Sequence, residues 1–307
     1  ASRTRASDTV PVLEVHGLTR RFGGLTAVRD LSFRVGQGEV FAIIGPNGAG
    51  KTTLFNLVSG VLTPSAGSIH LAGQPVTGRP AHRIAELGMA RTFQTPRLIP
   101  HLSVLDNVRV GLHRHLRAGF PASALRLAES EEQAATRQAL AALEMVGIAE
   151  LAHQPAGSLP FGAQRLVELA RALASRPRLL LLDEPASGLT AAERRSLAAL
   201  IRQIRAARIS VILVEHDVPL VMEVADRVLV LHHGERIAEG DPNTVRNDPR
   251  VISAYLGRRE DEQIREDETV REGTELGHGG ARPDAVVIRA TRGPEDTPGQ
   301  GPAASPR

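Results

Sequence analysis

Short apolar segments alternate along most of this chain with longer stretches of helical periodicity. Partly alternating segments of strand length lie at residues 12–16, 18–22 and 27–35, and nearly continuous apolar runs lie at 39–44, 179–182, 209–214 and 227–231. Continuous runs of this length indicate strands buried on both faces. Segments with helical spacing lie between them, at 51–59, 163–174, 191–206 and 218–224. The alternation predicts an α/β fold with a parallel sheet.

The remaining segments predict the domain organisation. Helical spacing at residues 103–113 and 122–146 replaces the strand pattern, so we expect an inserted helical subdomain at about 80–165. A short strand at 68–71, a hairpin at 228–238 and short helices at 242–246 and 250–256 complete a domain over 10–257. Residues 1–9 and the charged, then Gly/Pro-rich tail at 258–307 are predicted to be disordered.

Composition excludes several classes of protein. The 307 residues contain no cysteine, which excludes disulfides, thiol chemistry and zinc–cysteine sites. No apolar run approaches the ~18–20 residues that span a bilayer, and the start of the chain has no apolar signal segment. The net charge is only +3, and no basic stripe is interleaved with aromatic residues, so we expect no nucleic-acid partner.

Among the 37 lysine and arginine residues there is one lysine, Lys51. It belongs to the phosphate-binding loop motif Gly45-Pro46-Asn47-Gly48-Ala49-Gly50-Lys51-Thr52, between a predicted strand and a predicted helix. That context lets backbone amides and the helix N-terminus face phosphates. Lys51 would neutralise the β- and γ-phosphates of ATP, Thr52 would bind Mg²⁺, and Thr53 would donate to a phosphate. A chance glycine turn is a weak alternative.

A second motif delivers two carboxylates to a strand end. Four consecutive leucines at 179–182 lead into Asp183 and Glu184. In parallel sheets this end of the strand faces the ligand. Asp183 would hold Mg²⁺ through water, and Glu184 would act as the general base on the attacking water. Taken alone, the pair could be an ordinary strand end with a solvated acidic turn, and the presence of the phosphate loop makes this alternative a minor one.

With these motifs the chain resembles the ATP-binding subunits of ABC transporters over about residues 12–257. The resemblance implies a P-loop NTPase core with a parallel sheet, an N-terminal antiparallel β subdomain and an inserted helical subdomain. It also implies that Phe22 stacks on adenine, that Gln94 contacts Mg²⁺ and the γ-phosphate, and that His216 contacts the γ-phosphate. The family signature corresponds to Leu159, Pro160, Phe161, Gly162, Ala163 and Gln164, and the D-loop to Ser187-Gly188-Leu189-Thr190.

Further similarity is to the LivG-like subunits of branched-chain amino acid importers. It is carried by residues 20–28, 90–94, 237–242 and 251–257. The resemblance implies an ATPase on the cytoplasmic face of the plasma membrane, paired with a second ATP-binding subunit. It also implies contact with permease subunits, chiefly through residues 95–100, and indirect cooperation with a substrate-binding protein. Subunits for urea, short amides or lipopolysaccharide export share much of the pattern.

Two other functions use the same motifs. One is a soluble ABC ATPase of DNA repair or the ribosome, but the chain has neither a long coiled-coil insertion nor a second ATPase. The other is a nucleotide-binding regulator without hydrolysis, which the presence of Lys51, Asp183, Glu184 and His216 disfavours.

The signature departs from the family pattern, which usually reads LSGGQ. Pro160 replaces the serine that donates to the partner's γ-phosphate, and Ala163 replaces the glutamine. Proline has neither a hydroxyl nor an N–H to donate. Thr190 stands where the family often has Asp or Asn. Tolerated drift and an asymmetric pair of ATP sites explain these departures about equally well.

Overall fold

The computed structural model describes residues 10–93, 95–112 and 125–255, with side chains omitted at 125–130. The predictions for residues 1–9, Gln94 and 258–307 lie outside this part of the chain. In chain order the elements are β1 (Leu13–Phe22), β2 (Leu25–Val35), β3 (Val40–Ile44), α1 (Lys51–Val58), β4 (Ala66–Leu71), β5 (Gln74–Pro75), α2 (Ala81–Glu86), β6 (Met89–Arg91), α3 (Val104–Val110), α4 (Leu125–Val146), α5 (Phe161–Ala174), β7 (Leu179–Asp183), α6 (Ala191–Ala206), β8 (Ser210–Val214), α7 (Val218–Val224), β9 (Arg227–His232), β10 (Glu235–Gly240) and α8 (Pro242–Arg246), followed by a helix at 249–255.

The larger sheet in the described residues has the order β10-β9-β3-β8-β7-β6. The strands from β9 to β6 pair in parallel, and β10 returns antiparallel to β9 through the predicted hairpin. The predicted α/β fold and parallel sheet are thus confirmed. The edge strand β6 was not predicted, because its three residues are too short to show a period.

A second, antiparallel sheet with the order β2-β1-β4-β5 precedes and flanks the phosphate loop in sequence. The two strands predicted at 12–16 and 18–22 are one strand, β1, whose register shifts between Val15 and Leu18. Gly17, between them, has φ 57° and donates its N–H to Ser32 Oγ at 2.8 Å. A glycine adopts this conformation without steric cost, so the strand continues through the irregularity.

Two apolar cores lie on opposite faces of the parallel sheet. In β7, Leu180 and Leu182 face one core, with α3–α7, while Leu179 and Leu181 face the other, with α1 and the second sheet. Strands β3, β8 and β9 alternate in the same way. Burial on both faces explains why these strands read as continuous apolar runs.

The helices inserted after β6 pack against α5. Both α3 and α4 contact α5, and α3 contacts α4. Ser103 caps α3 by accepting the N–H of Asp106 at 3.0 Å, so the helix begins one residue later than the spacing predicts. Within the described residues, no helix combines the length and hydropathy needed to cross a membrane.

Candidate active site

The phosphate loop connects β3 to α1 and requires glycine at two of its positions. Gly45 has φ 153°, and a Cβ there would lie 2.2 Å from the carbonyl oxygen of Leu231. Gly50, the N-cap of α1, has φ 101°, and a Cβ there would lie 2.4 Å from the carbonyl oxygen of Ala27. The backbone therefore turns tightly against neighbouring strands before α1 begins at Lys51, and the first amides of α1 have no intrahelical acceptor.

Lys51 is almost completely buried, with 6% of its surface exposed. Its Nζ donates to the carbonyl oxygens of Gly45 at 2.7 Å and Pro46 at 3.0 Å. These contacts hold the ammonium against the loop, where phosphates would meet the loop amides. The position accommodates a narrow, flexible amine in a closely packed environment.

A cleft of about 740 Å³ opens beside the loop. It brings together most of the residues that the sequence assigns to nucleotide binding, namely Phe22, Asn47, Gly48, Gly50, Lys51, Thr52, Thr53 and Glu184. Phe22 is 43% exposed, and the guanidinium of Arg20 lies 4.5 Å from its ring centroid. Gly45, Pro46 and Ala49 shape the loop without lining the cleft. Arg29 and His233 also line the cleft, although neither belongs to a motif that predicts it there.

Asp183 ends β7 and is 4% exposed. Its Oδ2 accepts a hydrogen bond from Arg91 Nη2 at 3.1 Å, and Arg91 Nη1 also donates to Asn56 at 2.7 Å and Ser59 at 2.9 Å. Burial raises the pKa of Asp183; the Arg91 guanidinium lowers it in part, and the Glu184 carboxylate adds to the increase. Arg91 is therefore the counter-ion of this carboxylate.

The residues proposed for Mg²⁺ fit a hydrated ion. Asp183 Oδ1 is buried and accepts no hydrogen bond from the described residues. A buried carboxylate oxygen without a donor is costly unless a ligand or water satisfies it. Thr52 supplies a hydroxyl on the cleft surface, and Mg²⁺ binds oxygen ligands while keeping several waters.

Glu184 follows directly and has an unusual backbone, with φ 47°. Its N–H donates to the carbonyl oxygen of Val214 at 2.9 Å, which fixes the turn to the end of β8. The side chain is 26% exposed, and its Oε2 lies 3.9 Å from Nδ1 of His216. A left-handed conformation is uncommon at a non-glycine residue, and five further residues of the described chain share it, among them His233 of the same cleft. The Glu184 carboxylate reaches the cleft that Lys51 and Thr52 line.

Glu215 also holds the active-site turns in place, although no sequence motif predicts this role for it. It is fully buried and accepts the N–H groups of Ala186 at 2.7 Å, His216 at 3.0 Å and Asp217 at 3.3 Å. Burial raises its pKa, while these hydrogen bonds act in the opposite direction. Glu215 therefore ties the turn after Glu184 to the turn that carries His216. The sequence offered one signal for Glu215, an acid directly after a buried strand, and none for Arg91, because its strand was not predicted.

The signature lies at the start of α5, which begins at Phe161 rather than at the predicted residue 163. Pro160 is the N-cap, and Phe161 is 51% exposed with the guanidinium of Arg165 4.7 Å from its ring centroid. Gln164 donates from Nε2 to the carbonyl oxygen of Leu159 at 2.9 Å. None of the residues 159–164 lines the cleft of the same chain, so this exposed helix start is available to another molecule.

Thr190 is the N-cap of α6, which accounts for the departure at this position. Its Oγ1 accepts the N–H of Glu193 at 3.3 Å, and Glu193 Oε2 accepts the N–H of Thr190 at 2.8 Å. This is a capping box, in which threonine, aspartate and asparagine all serve as caps. The local role of this position is therefore preserved in spite of the substitution.

Replacing Pro160 tests whether the altered signature limits the enzyme. We expect Pro160→Ser to raise the ATPase activity of the isolated protein roughly tenfold or more, because serine would restore the hydroxyl and N–H that the resemblance assigns to binding the partner's γ-phosphate. Pro160→Ala restores only the N–H and separates its effect from that of the hydroxyl. The measurements are ATPase rate and ATP-driven dimerisation. If neither variant changes either quantity, the remaining amides of α5 suffice and the two sites need not differ.

Similarity to known proteins agrees with this geometry. The chain matches the ABC transporter family over residues 28–187 and the branched-chain amino acid ATP-binding cassette transporter family over residues 235–261. It is 44% identical over 250 residues to the high-affinity branched-chain amino acid transport ATP-binding protein BraF of Pseudomonas aeruginosa, covering 80% of this chain and 98% of BraF. LivG of Escherichia coli, with the same description, is 42% identical over 253 residues, covering 80% of this chain and 98% of LivG.

A solved structure extends the comparison to the fold. The ADP conformation of MJ1267, an ATP-binding cassette of an ABC transporter, aligns with a TM-score of 0.71 and 30% identity over 81% of this chain and all of that one. The predicted family and fold are confirmed. Because the first family match covers more than half of the chain, and relatives more than 40% identical cover four fifths of it, the chain belongs to the ATP-binding proteins of the ABC transporter family.

Proposed function

We propose that this chain hydrolyses ATP to energise the import of branched-chain amino acids. The observation that carries the proposal is its similarity to BraF and LivG, which extends over almost their whole length. The match at residues 235–261 to a family described by the same substrates supports it. Subunits for urea, short amides or lipopolysaccharide export remain the alternatives, because substrate is selected by other chains.

In this proposal the cleft beside α1 is the ATP site. Phe22 stacks on adenine, the loop amides and Lys51 hold the β- and γ-phosphates, and Thr53 donates to a phosphate. Thr52, Gln94 and, through water, Asp183 would hold Mg²⁺, and the ion would neutralise charge on the phosphate oxygens. Glu184 takes a proton from the attacking water, and His216 contacts the γ-phosphate.

The signature on α5 acts on a second ATP-binding subunit. Its exposure, and its absence from the lining of the chain's own cleft, support a head-to-tail pair in which each signature covers the partner's ATP. The pair lies on the cytoplasmic face of the plasma membrane, bound to permease subunits and working with a substrate-binding protein. The partner ATPase can be a second copy of this chain or a different subunit.

The permease contact is proposed for residues 95–100, as the resemblance implies, and for a neighbouring groove of about 370 Å³ between α1, α2, α3 and α5, which Phe93 lines and residues 95–100 do not. Three large apolar residues line the groove and are exposed to solvent. Val61 is 55% exposed, Val110 is 45% exposed and Phe93 is 37% exposed. Ile84 and Met89 supply its buried floor. Apolar side chains gathered in one surface groove are typical of an interaction site.

Uptake by the assembled transporter tests the substrate. This chain, the permease subunits and the binding protein encoded with it would be reconstituted in vesicles and supplied with labelled leucine, urea or a short amide. Leucine uptake that requires ATP and fails with Glu184→Gln supports the proposal. Uptake of urea or an amide without leucine would overturn the substrate and leave the ATPase role intact.

Negative charges placed in the groove are expected to lower transport without lowering the ATPase activity of the isolated chain. Val61→Glu and Val110→Glu should each lower transport at least about tenfold, because a carboxylate would be desolvated in the interface. ATPase activity of the isolated chain should stay within about twofold. Val10→Glu is the matched control, since Val10 is 57% exposed and does not line the groove. Normal transport by both groove variants would place the permease elsewhere.

A further inference from the structure

Glu168, in the second turn of α5, is a buried acid that the ATPase mechanism does not use. It is 2% exposed and lies between the core residues Val167 and Leu169. Burial raises its pKa, and its hydrogen bonds and Arg171 act in the opposite direction. A carboxylate in such surroundings is costly unless its partners are well placed. Its partners therefore indicate what it does.

The partners belong to the segment that flanks position 94. Glu168 Oε2 accepts the N–H of Phe93 at 3.4 Å, and Oε1 accepts the N–H of Arg97 at 3.5 Å. Arg171 Nη2 pairs with Glu168 Oε1 at 3.3 Å, and Arg171 Nη1 donates to the carbonyl oxygen of Arg97 at 2.5 Å. One ion pair on α5 thus holds this segment by its backbone at two points.

The pair lies between the groove and the active site. Phe93, Glu168 and Arg171 line the groove described above. Phe93 and Glu168 also line a cavity of about 680 Å³ on the other side, which extends to Gly162 of the signature and to Glu184. Because α5 is one continuous helix from Phe161, a force applied at Glu168 acts on the signature without an intervening joint.

We propose that Glu168 and Arg171 form a latch that makes α5 follow the segment from Phe93 to Arg97. When a partner bound in the groove displaces this segment, the latch makes α5 and the signature at its start move with the segment. The latch thereby sets the rate at which the ATP site closes. Both are positioning residues, since neither lines the nucleotide cleft. Only the identity of the partner, the permease, rests on the proposed function.

The latch itself can be measured in the isolated full-length chain. The sequence has no cysteine, so Thr95→Cys and Arg176→Cys, both at exposed positions and the second just after the end of α5, introduce unique sites for spin labels. In Glu168→Gln we expect the distribution of label distances to widen at least about twofold, because Phe93 and Arg97 donate to different oxygens and the amide nitrogen that replaces one of them cannot accept. Glu223→Gln, which breaks the exposed pair with Arg202, is the control. An unchanged distribution in Glu168→Gln would overturn the latch.

The transmission of movement from the groove to the signature is measured in the assembled transporter. Glu168→Gln should lower the stimulation of ATPase activity by the permease about tenfold, with the KM for ATP within about twofold of the wild-type value. Glu168→Gln combined with Arg171→Gln should be no worse than the single variant, since both changes open one latch. Undiminished stimulation, or an equal loss in the isolated subunit, would overturn transmission. If the wild-type chain shows no stimulation, the proposed permease partner fails, whereas the spin-label result still decides the latch.

Discussion

Glu184→Gln is expected to lower the turnover number for ATP about 10³-fold while leaving ATP affinity within about threefold of the wild-type value. The amide has nearly the shape of the carboxylate but cannot take a proton from water. The backbone at this position, with φ 47°, is fixed by the hydrogen bond from Glu184 N–H to Val214. Since that bond involves no side-chain atom, the substitution should leave the turn in place.

The measurement pairs steady-state turnover with binding of a fluorescent ATP analogue, and adds light scattering to detect a dimer trapped by ATP. Glu223→Gln, an exposed change of the same chemical kind, should behave as the wild type. Turnover of Glu184→Gln within about tenfold of the wild type would mean that another group is the base. His216, whose Nδ1 lies 3.9 Å from Glu184, would be the next residue to test.

Local sequence signals predicted most of the nucleotide cleft. A strand, a glycine loop and a helix in succession fix the position of Lys51 and Thr52 without long-range information. The run of leucines ending in Asp183 and Glu184 also suffices to place both carboxylates at the sheet edge, because parallel strands end on a common side. The convergence of Glu184 and Lys51 on one cleft depends in addition on the strand order, in which only β8 separates β3 from β7.

The charged residues that organise the site could not be predicted in the same way. Arg91, Glu168 and Glu215 are buried only because distant segments cover them, and in the sequence each looks like a surface charge. Each of them has a partner far away in the sequence: Ala186 for Glu215, Phe93 for Glu168 and Asp183 for Arg91, at separations of 29, 75 and 92 residues. Such pairings depend on the packing of α5 and β6 against β7, which hydrophobic periodicity does not specify.

Lys51→Arg is expected to weaken ATP binding on the order of a hundredfold, although it preserves the charge. Lys51 is 6% exposed, and its ammonium lies 2.7 Å and 3.0 Å from the carbonyl oxygens of Gly45 and Pro46. A planar guanidinium is wider than an ammonium and presents its donors in a rigid fork. The loop cannot widen to receive it, because the backbone at Gly45 already packs against Leu231.

In a titration with an ATP analogue, Lys51→Arg should therefore bind about as weakly as Lys51→Met, in which the charge is lost. Arg29→Lys makes the reverse exchange at the exposed rim of the same cleft, where Arg29 pairs with Glu235 at 2.9 Å. It should bind ATP within about twofold of the wild type, because exposed ion pairs contribute little. If Lys51→Arg instead binds as tightly as the wild type, charge alone is required at this position. The lone lysine of an arginine-rich chain would then have no steric explanation.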